Sequence, residues 1–377
     1  MKKVLLSLIL FLLFLNTSYA QQDNSFFHNR KYTSYKSDNN LYLEIKNINF
    51  FKNNEYFSPF AEGYTNIGFH LSPSLSYYIA DKGKITAGMY VLQFSGRKES
   101  EKILPIFSFQ YNINPKLKLT FGSLDGSINH NLISPIFDFE KLITNNIENG
   151  IQFLYSSDNT KIDLWLDWQQ FIKRGDPFQE YFTVGYSSTV NLYKSNDESL
   201  HITLPIQCIF NHHGGQIDTS GKRILTINND ATGLIIDKKF DASFLKEIKT
   251  GFYFLLYKDL SPTKVQGYEQ GKGFYPFIVA NIKEIELTTG YWYGHKFYSP
   301  LGHPLFQNIS IFDKNTFVTN KKMLTSTVTY TKKIFQNINL ASRFEGFYDI
   351  TTNKFDYTYS LYLTFNSRFF LCKKPFQ

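Results

Sequence analysis

The stretch FDYTYSLYLTFNSRFFL, residues 355–371, decides the fold. Phe355, Tyr357, Tyr359, Leu361, Leu363 and Phe365 alternate with Asp356, Thr358, Ser360, Tyr362, Thr364 and Asn366. A period of two marks an extended strand, whose successive side chains point to opposite faces. One flank of this ribbon is oily and aromatic, the other mostly polar. The pattern recurs up the chain, which suits a closed barrel with lipid outside better than a soluble sheet.

Working back from that strand, Leu41, Leu43 and Ile45 alternate with Tyr42, Glu44 and Lys46. Phe107, Phe109, Tyr111 and Ile113 alternate with Ser108, Gln110 and Asn112, and Asn114-Pro115 then turns the chain into a second ribbon ending at Phe121, a hairpin. Further strands are expected at 151–155, 162–168, 182–193, 200–210, 248–256, 285–293, 324–330 and 338–348, with weaker ones at 67–78, 85–94, 225–236 and 274–282. The expectation is an all-β, transmembrane antiparallel up-and-down β-barrel of about 16 strands, within about 14–18. Long connectors at 51–62, 96–102, 124–147, 171–177, 211–224, 259–272 and 296–321 interleave with short turns near 81–83, 114–115, 158–159, 195–198, 239–243, 283 and 335–337. Short turns on one side and long loops on the other give that rhythm. The last connector, 351–354, is short for an outer loop.

The beginning of the chain has Lys2 and Lys3, an apolar run from Val4 to Leu15, and the small-residue site Ser18-Tyr19-Ala20. That order predicts a secretory signal peptide over 1–20, a flexible periplasmic leader over 21–40, a barrel over 41–371 and a tail over 372–377. Aromatic residues make up 18% of the chain and charged residues 19%. Interfacial girdles of Tyr, Phe and Trp absorb such an aromatic excess. The net charge of +8 is spread along the chain instead of gathered in runs, which argues against nucleic acid as a partner. Two cysteines, Cys208 and Cys372, do not make a disulfide framework.

On these features the chain resembles the outer-membrane β-barrel proteins of Gram-negative bacteria, and more loosely the porin-like ones. The resemblance covers nearly all of the chain after residue 40 and rests on architecture, with no short motif of a single family. It departs from the usual pattern at the end, where Phe369, Phe370 and Leu371 are followed by residues 372–377. It implies insertion by the barrel-assembly machinery, contact with outer-membrane lipid, and passive diffusion of small hydrophilic solutes. A closed accessory barrel in an outer-membrane assembly, or an oligomer, is the alternative, and an outer-membrane lipid hydrolase is a third reading ranked below both.

With the aromatic flank outside, Glu44, Lys46, Asp163, Asp167, Glu247, Lys249, Glu284, Glu286, Arg343, Glu345 and Arg368 are expected to line the lumen. In porin-like barrels the loop at the place of 122–146 folds inward, which nominates Asp125, His130, Asp138 and Glu140 as constriction residues. The pair His212 and His213 is too close in sequence to chelate, so neither a metal nor another cofactor is expected. Tyr291, Trp292, Tyr293, Phe297 and Tyr298 read as girdle residues. His70-Leu71-Ser72 has the His-x-Ser spacing that outer-membrane phospholipase-like barrels carry on the lipid-facing wall, but the Asn-Gly-Arg sequence of that family does not follow it. No catalytic residue is therefore assigned, and the expectation is a non-enzymatic barrel.

Overall fold

The computed structural model describes Phe27 and residues 39–80, 82–241, 244–313 and 315–373. The expected signal peptide and nearly all of the expected leader lie outside the described residues. The strands are β1 (Asn40–Glu55), β2 (Tyr64–Ile79), β3 (Gly83–Phe94), β4 (Lys102–Asn114), β5 (Leu117–Ser123), β6 (Asn149–Ser156), β7 (Thr160–Gln170) and β8 (Glu180–Lys194). They continue as β9 (Leu200–Gly214), β10 (Leu225–Lys239), β11 (Leu245–Asp259), β12 (Gln270–Ile282), β13 (Ile285–His295), β14 (Asn320–Phe335), β15 (Ile338–Asp349) and β16 (Lys354–Lys373). Each pairs antiparallel with its neighbours in sequence, and β1 pairs with β16, so the sheet closes into a 16-strand barrel. Strand β16 continues through Cys372 to Lys373, opposite Leu41 and Asn40, so the barrel reaches slightly further at both ends than 41–371.

The alternation that predicted the strands also sets their two faces. In β16, Asp356, Thr358, Ser360, Tyr362 and Thr364 are buried inside, whereas Phe355, Tyr359, Leu361 and Leu363 are exposed on the outer wall. The same holds for Phe107, Phe109 and Tyr111 of β4 and for Phe254 and Leu256 of β11. Closure is required because unpaired backbone groups cannot be left in hydrocarbon.

The lumen is not an open cylinder. At the long-loop end, which the loop rule makes the outer end, three connections fold inward: L1 (56–63), L3 (124–148) and L7 (296–319). Phe60 and Ala61 of L1, Ile133, Ile136 and Phe137 of L3, and Phe297, Leu301, Leu305 and Phe306 of L7 pack on Tyr253, Phe277, Trp292, Met323 and Phe347 of the wall. A second core joins Phe139, Leu142 and Ile143 of L3 to Phe50, Tyr90, Leu92 and Tyr362, with Phe27 wedged against Phe139 and Tyr362 at ring separations of 5.2 and 5.0 Å. Each fully buried ring is worth about 1.5–3 kcal/mol. Hydrogen bonds knit the loops to one another: Asp138 N to Leu301 O and His303 N to Ser134 O, both 2.8 Å, and Ile311 N to Phe60 O, 3.2 Å. Beneath this plug the lumen keeps cavities of about 320 and 480 Å³.

Val328, outward-facing midway along β14 and 37% exposed, reports on the lipid contact. Val328→Arg is expected to cost about 2–4 kcal/mol, read from urea titration of the barrel folded in vesicles, with Val328→Leu unchanged.

Candidate functional site

L3 supplies the charged groups at the centre of the plug. Its first turn, Ser127–His130, ends on Asn131, which takes the left-handed conformation at φ 55°. That turn drops His130 to full burial between two carboxylates, with Nδ1 2.7 Å from Asp163 Oδ2 of β7 and Nε2 2.7 Å from Glu148 Oε2. The imidazole lies flat on the Trp165 indole at 3.5 Å and 7°. Trp165 can lie flat because its partner across the β7–β8 ladder is Gly185, where a Cβ would come within 2.0 Å of the indole. Burial alone would lower the pKa of His130; the Glu148 and Asp163 charges outweigh it and raise the pKa to about 9. With both ring nitrogens occupied, His130 is a fastener and not a free base.

Further along L3, the helical turn α1 (Lys141–Thr144) is preceded by Glu140, whose carboxylate collects four donors. Lys52 Nζ of β1 donates at 2.5 Å and Asn54 Nδ2 at 3.2 Å to Oε2; Tyr64 Oη at 2.5 Å and Asn66 Nδ2 of β2 at 3.2 Å donate to Oε1. Burial pushes this carboxyl up, but the Lys52 ammonium prevails and holds it ionised, below the usual range. Around it, Arg343 stacks over Phe139 at 4.4 Å and pairs with Glu345 at 2.8 Å. His303 of L7 accepts from Leu305 N at Nδ1, and its Nε2 lies 3.4 Å from Tyr56 Oη. Burial keeps His303 neutral by lowering its pKa. This cluster sits at the outer ends of β1 and β2, where Tyr64 is 46% exposed.

The expected lumen residues separate into several settings. Glu44 pairs with Lys84 at 3.1 Å and Glu247 with Lys249 at 3.1 Å. Lys46 lines a small luminal cavity, Glu286 a larger one, and Arg368 stacks over Tyr42 at 4.4 Å. Asp163 holds His130, and Asp167 accepts from Asn149 N at 2.9 Å. Glu284 stands in the β12–β13 turn at the mouth, outside the strand-lined wall. In L3, Asp125 pairs with Lys118 at 3.0 Å and Asp138 accepts from Glu140 N at 3.1 Å. Among these residues the structure brings together Glu247 with Lys249, Arg343 with Glu345, Asp138 with Glu140, and His130 with Asp163, the last pair with Glu148 added.

His70 and Ser72, singled out only for their spacing, face the lumen and are buried, because they share the inward parity of β2 with Ser74 and Ser76. Two expectations are corrected. Trp292 and Phe297 are fully buried in the plug core, where Tyr298 also packs, instead of standing in a girdle. Residues 51–55 are strand, not loop, so Lys52 and Asn54 project inward in step with Lys46, Ile48 and Phe50. The turn-like run Asn53-Asn54-Glu55 concealed this, since those residue types usually mark chain reversals. His213 stacks on Tyr181 and His212 lies tilted against Phe182, on opposite faces of β9. Among the described residues no group of three or more His, Cys, Asp or Glu is arranged to hold a metal ion.

This geometry defines an outer-membrane β-barrel whose outer half is filled by its own loops. Solved barrels share the fold: OprD of Pseudomonas aeruginosa, 7% identical, aligns over 90% of this chain and 97% of its own with a TM-score of 0.51. Outer-membrane-expressed OmpT of Vibrio cholerae, 8% identical, aligns over 89% of this chain and 100% of its own with a TM-score of 0.50. At that identity the likeness shows architecture alone. No curated protein matches the chain. The family assignment is more specific: residues 31–374 match the lipid A 3'-O-deacylase-type family, and the chain belongs to it. That membership overturns the expectation of a non-enzymatic barrel, since the family is one of enzymes.

The His130 fastener gives a pH signature with a fixed sign. A raised folded-state pKa contributes stability that is complete below the unfolded value near 6.5 and is lost as pH climbs through about 9. The protection of L3 amides, taken relative to the intrinsic exchange rate at each pH, is expected to fall between about pH 7 and pH 10 in the parent protein, and to show no such step in His130→Gln. Gly185→Leu is expected to displace Trp165 and release L3 at neutral pH, seen as cleavage of L3 by added protease.

Proposed function

We propose that this barrel hydrolyses an acyl ester of a lipid A-type saccharolipid, with the Glu140 cluster as the reaction centre. The observation that carries the reading is the family match over residues 31–374. The position of the cluster supports it, because the outer rim is where an outer-leaflet lipid presents its ester groups and Tyr64 keeps that edge partly open. Ester cleavage by water needs a base for the attacking water and donors for the oxyanion. Glu140, held ionised, is the base. The Lys52 ammonium and the amides of Asn54 and Asn66 are the donors. In the resting site these donors occupy both Glu140 oxygens; the attacking water takes the place of the Asn54 and Asn66 amides there, and those amides, with the remaining protons of the Lys52 ammonium, turn to the oxyanion. The water oxygen bonds to the acyl carbon and its proton passes to Glu140. The bond from that carbon to the sugar oxygen then breaks, and the sugar oxygen leaves as a hydroxyl carrying the proton.

The diffusion-pore reading loses support from the packing of Phe60, Ile136 and Phe306 across the outer half of the lumen. In planar bilayers the folded protein is expected to give no stable conductance steps; sustained steps would favour the pore. For the hydrolase, Glu140→Gln is expected to lower kcat by about 10²–10⁴-fold with KM little changed, measured by mass spectrometry of released fatty acid. Heat-modifiable gel mobility checks that the variant barrel is closed. A folded Glu140→Gln variant that turns over at the parent rate would remove Glu140 from the mechanism.

A further inference from the structure

Four neighbouring strands, β11 to β14, carry a cationic row on the outside of the barrel at its outer end. Lys258, Lys272 and Lys322 are exposed there, each alternating with an inward neighbour that is buried: Tyr257, Gly273 and Lys321. The ladder sets them side by side. Lys258 is opposite Gln270, Lys272 is opposite His295, and Lys322 is opposite Tyr293. Two strand spacings, about 10 Å, and a shift of two residues along the strand, about 7 Å, separate Lys272 from Lys322, about 12 Å in all, a span that a disaccharide bridges. Among the described residues none of the three lysines has an ion-pair partner. The outward positions between them hold no carboxylate; Asp230 of β10, bonded to Asn228 at 2.6 Å, and Glu269 just before β12 mark the border. Immediately below the row the wall turns oily, with Leu256 58%, Phe254 56% and Leu324 46% exposed.

From this arrangement we infer that the outer face of β11–β14 docks a phosphorylated saccharolipid of the outer leaflet, its phosphates on Lys258, Lys272 and Lys322 and its acyl chains along Phe254, Leu256 and Leu324. Three unpaired ammonium groups above an apolar wall complement an amphiphile with several phosphate charges above several acyl chains. The choice of a saccharolipid over another anionic lipid rests on the hydrolase reading, while the docking itself is measured without turnover.

The experiment compares the parent with the triple variant Lys258→Gln, Lys272→Gln and Lys322→Gln, each in phosphatidylcholine nanodiscs containing bisphosphorylated lipid A, with bound lipid counted by native mass spectrometry. Apparent affinity is expected to fall about 100-fold in the triple variant, from about one surface-charge contact per lysine. Monophosphoryl lipid A should bind the parent with intermediate affinity. A control removing Lys173, Arg174 and Lys222 from the outer loops should bind as the parent does. Affinity within threefold of the parent in the triple variant, or displacement of lipid A by phosphatidylglycerol at equal charge, overturns the inference. Folded Glu140→Gln protein that binds lipid A but leaves it intact keeps the docking face; the hydrolase reading stands or falls separately on whether the parent releases fatty acid.

Discussion

The structure depends on satisfying every backbone hydrogen bond where no water can do it. In hydrocarbon an open sheet edge costs several kcal/mol per unsatisfied group, so the first strand must find the last. The β1–β16 seam meets that demand over almost the full length of β1, from Asn40 opposite Lys373 to Glu55 opposite Tyr357. Once the wall is closed, period-two alternation divides the chain between lipid and lumen. Everything polar on the inner flank must then be wetted, paired or covered.

The plug does the covering, and its parts act differently. The aromatic and aliphatic contacts of Phe60, Phe297, Phe306 and Phe347 supply most of the adhesion, because apolar burial is favourable wherever it occurs. The buried charges fix the register. Lys52 with Glu140, His130 between Asp163 and Glu148, and Lys321 against both Asp349 and the Phe60 ring each tie an inward loop to one place on the wall. A buried ion pair gains little net stability over an apolar pair, yet removing one partner costs about 3–5 kcal/mol. The loops are thus held by groups that discriminate against misplacement more than they add affinity.

Much of the wall was legible in the sequence, because side-chain alternation is local and lipid enforces it strictly. The residues of β16 show this: the flank that reads as oily is the flank that faces out. The plug was less legible for the same reason. Phe60, Leu305 and Phe306 sit in connectors with no periodicity, and an apolar residue in a loop gives no hint of whether it packs inward or rests on the membrane. Glu140 and His130 could be nominated from their loop and Asp163 from the inner flank of its strand, but Glu148 and the pairing itself could not. Lys52, Asn54, Tyr64 and Asn66 become a donor set only when β1 and β2 rise far enough to face α1. Enzymatic character left no short motif at all, and it emerged from similarity along the whole chain.

The β1–β16 seam also bears on biogenesis. Its two strands are separated by nearly the entire polypeptide, so no ribosome-length fragment contains both halves of the joint. Contacts so remote in sequence form late and slowly. Until they do, two raw strand margins face one another, and each is an invitation to pair with a stranger. Both margins stay open to such pairing until β16 meets β1.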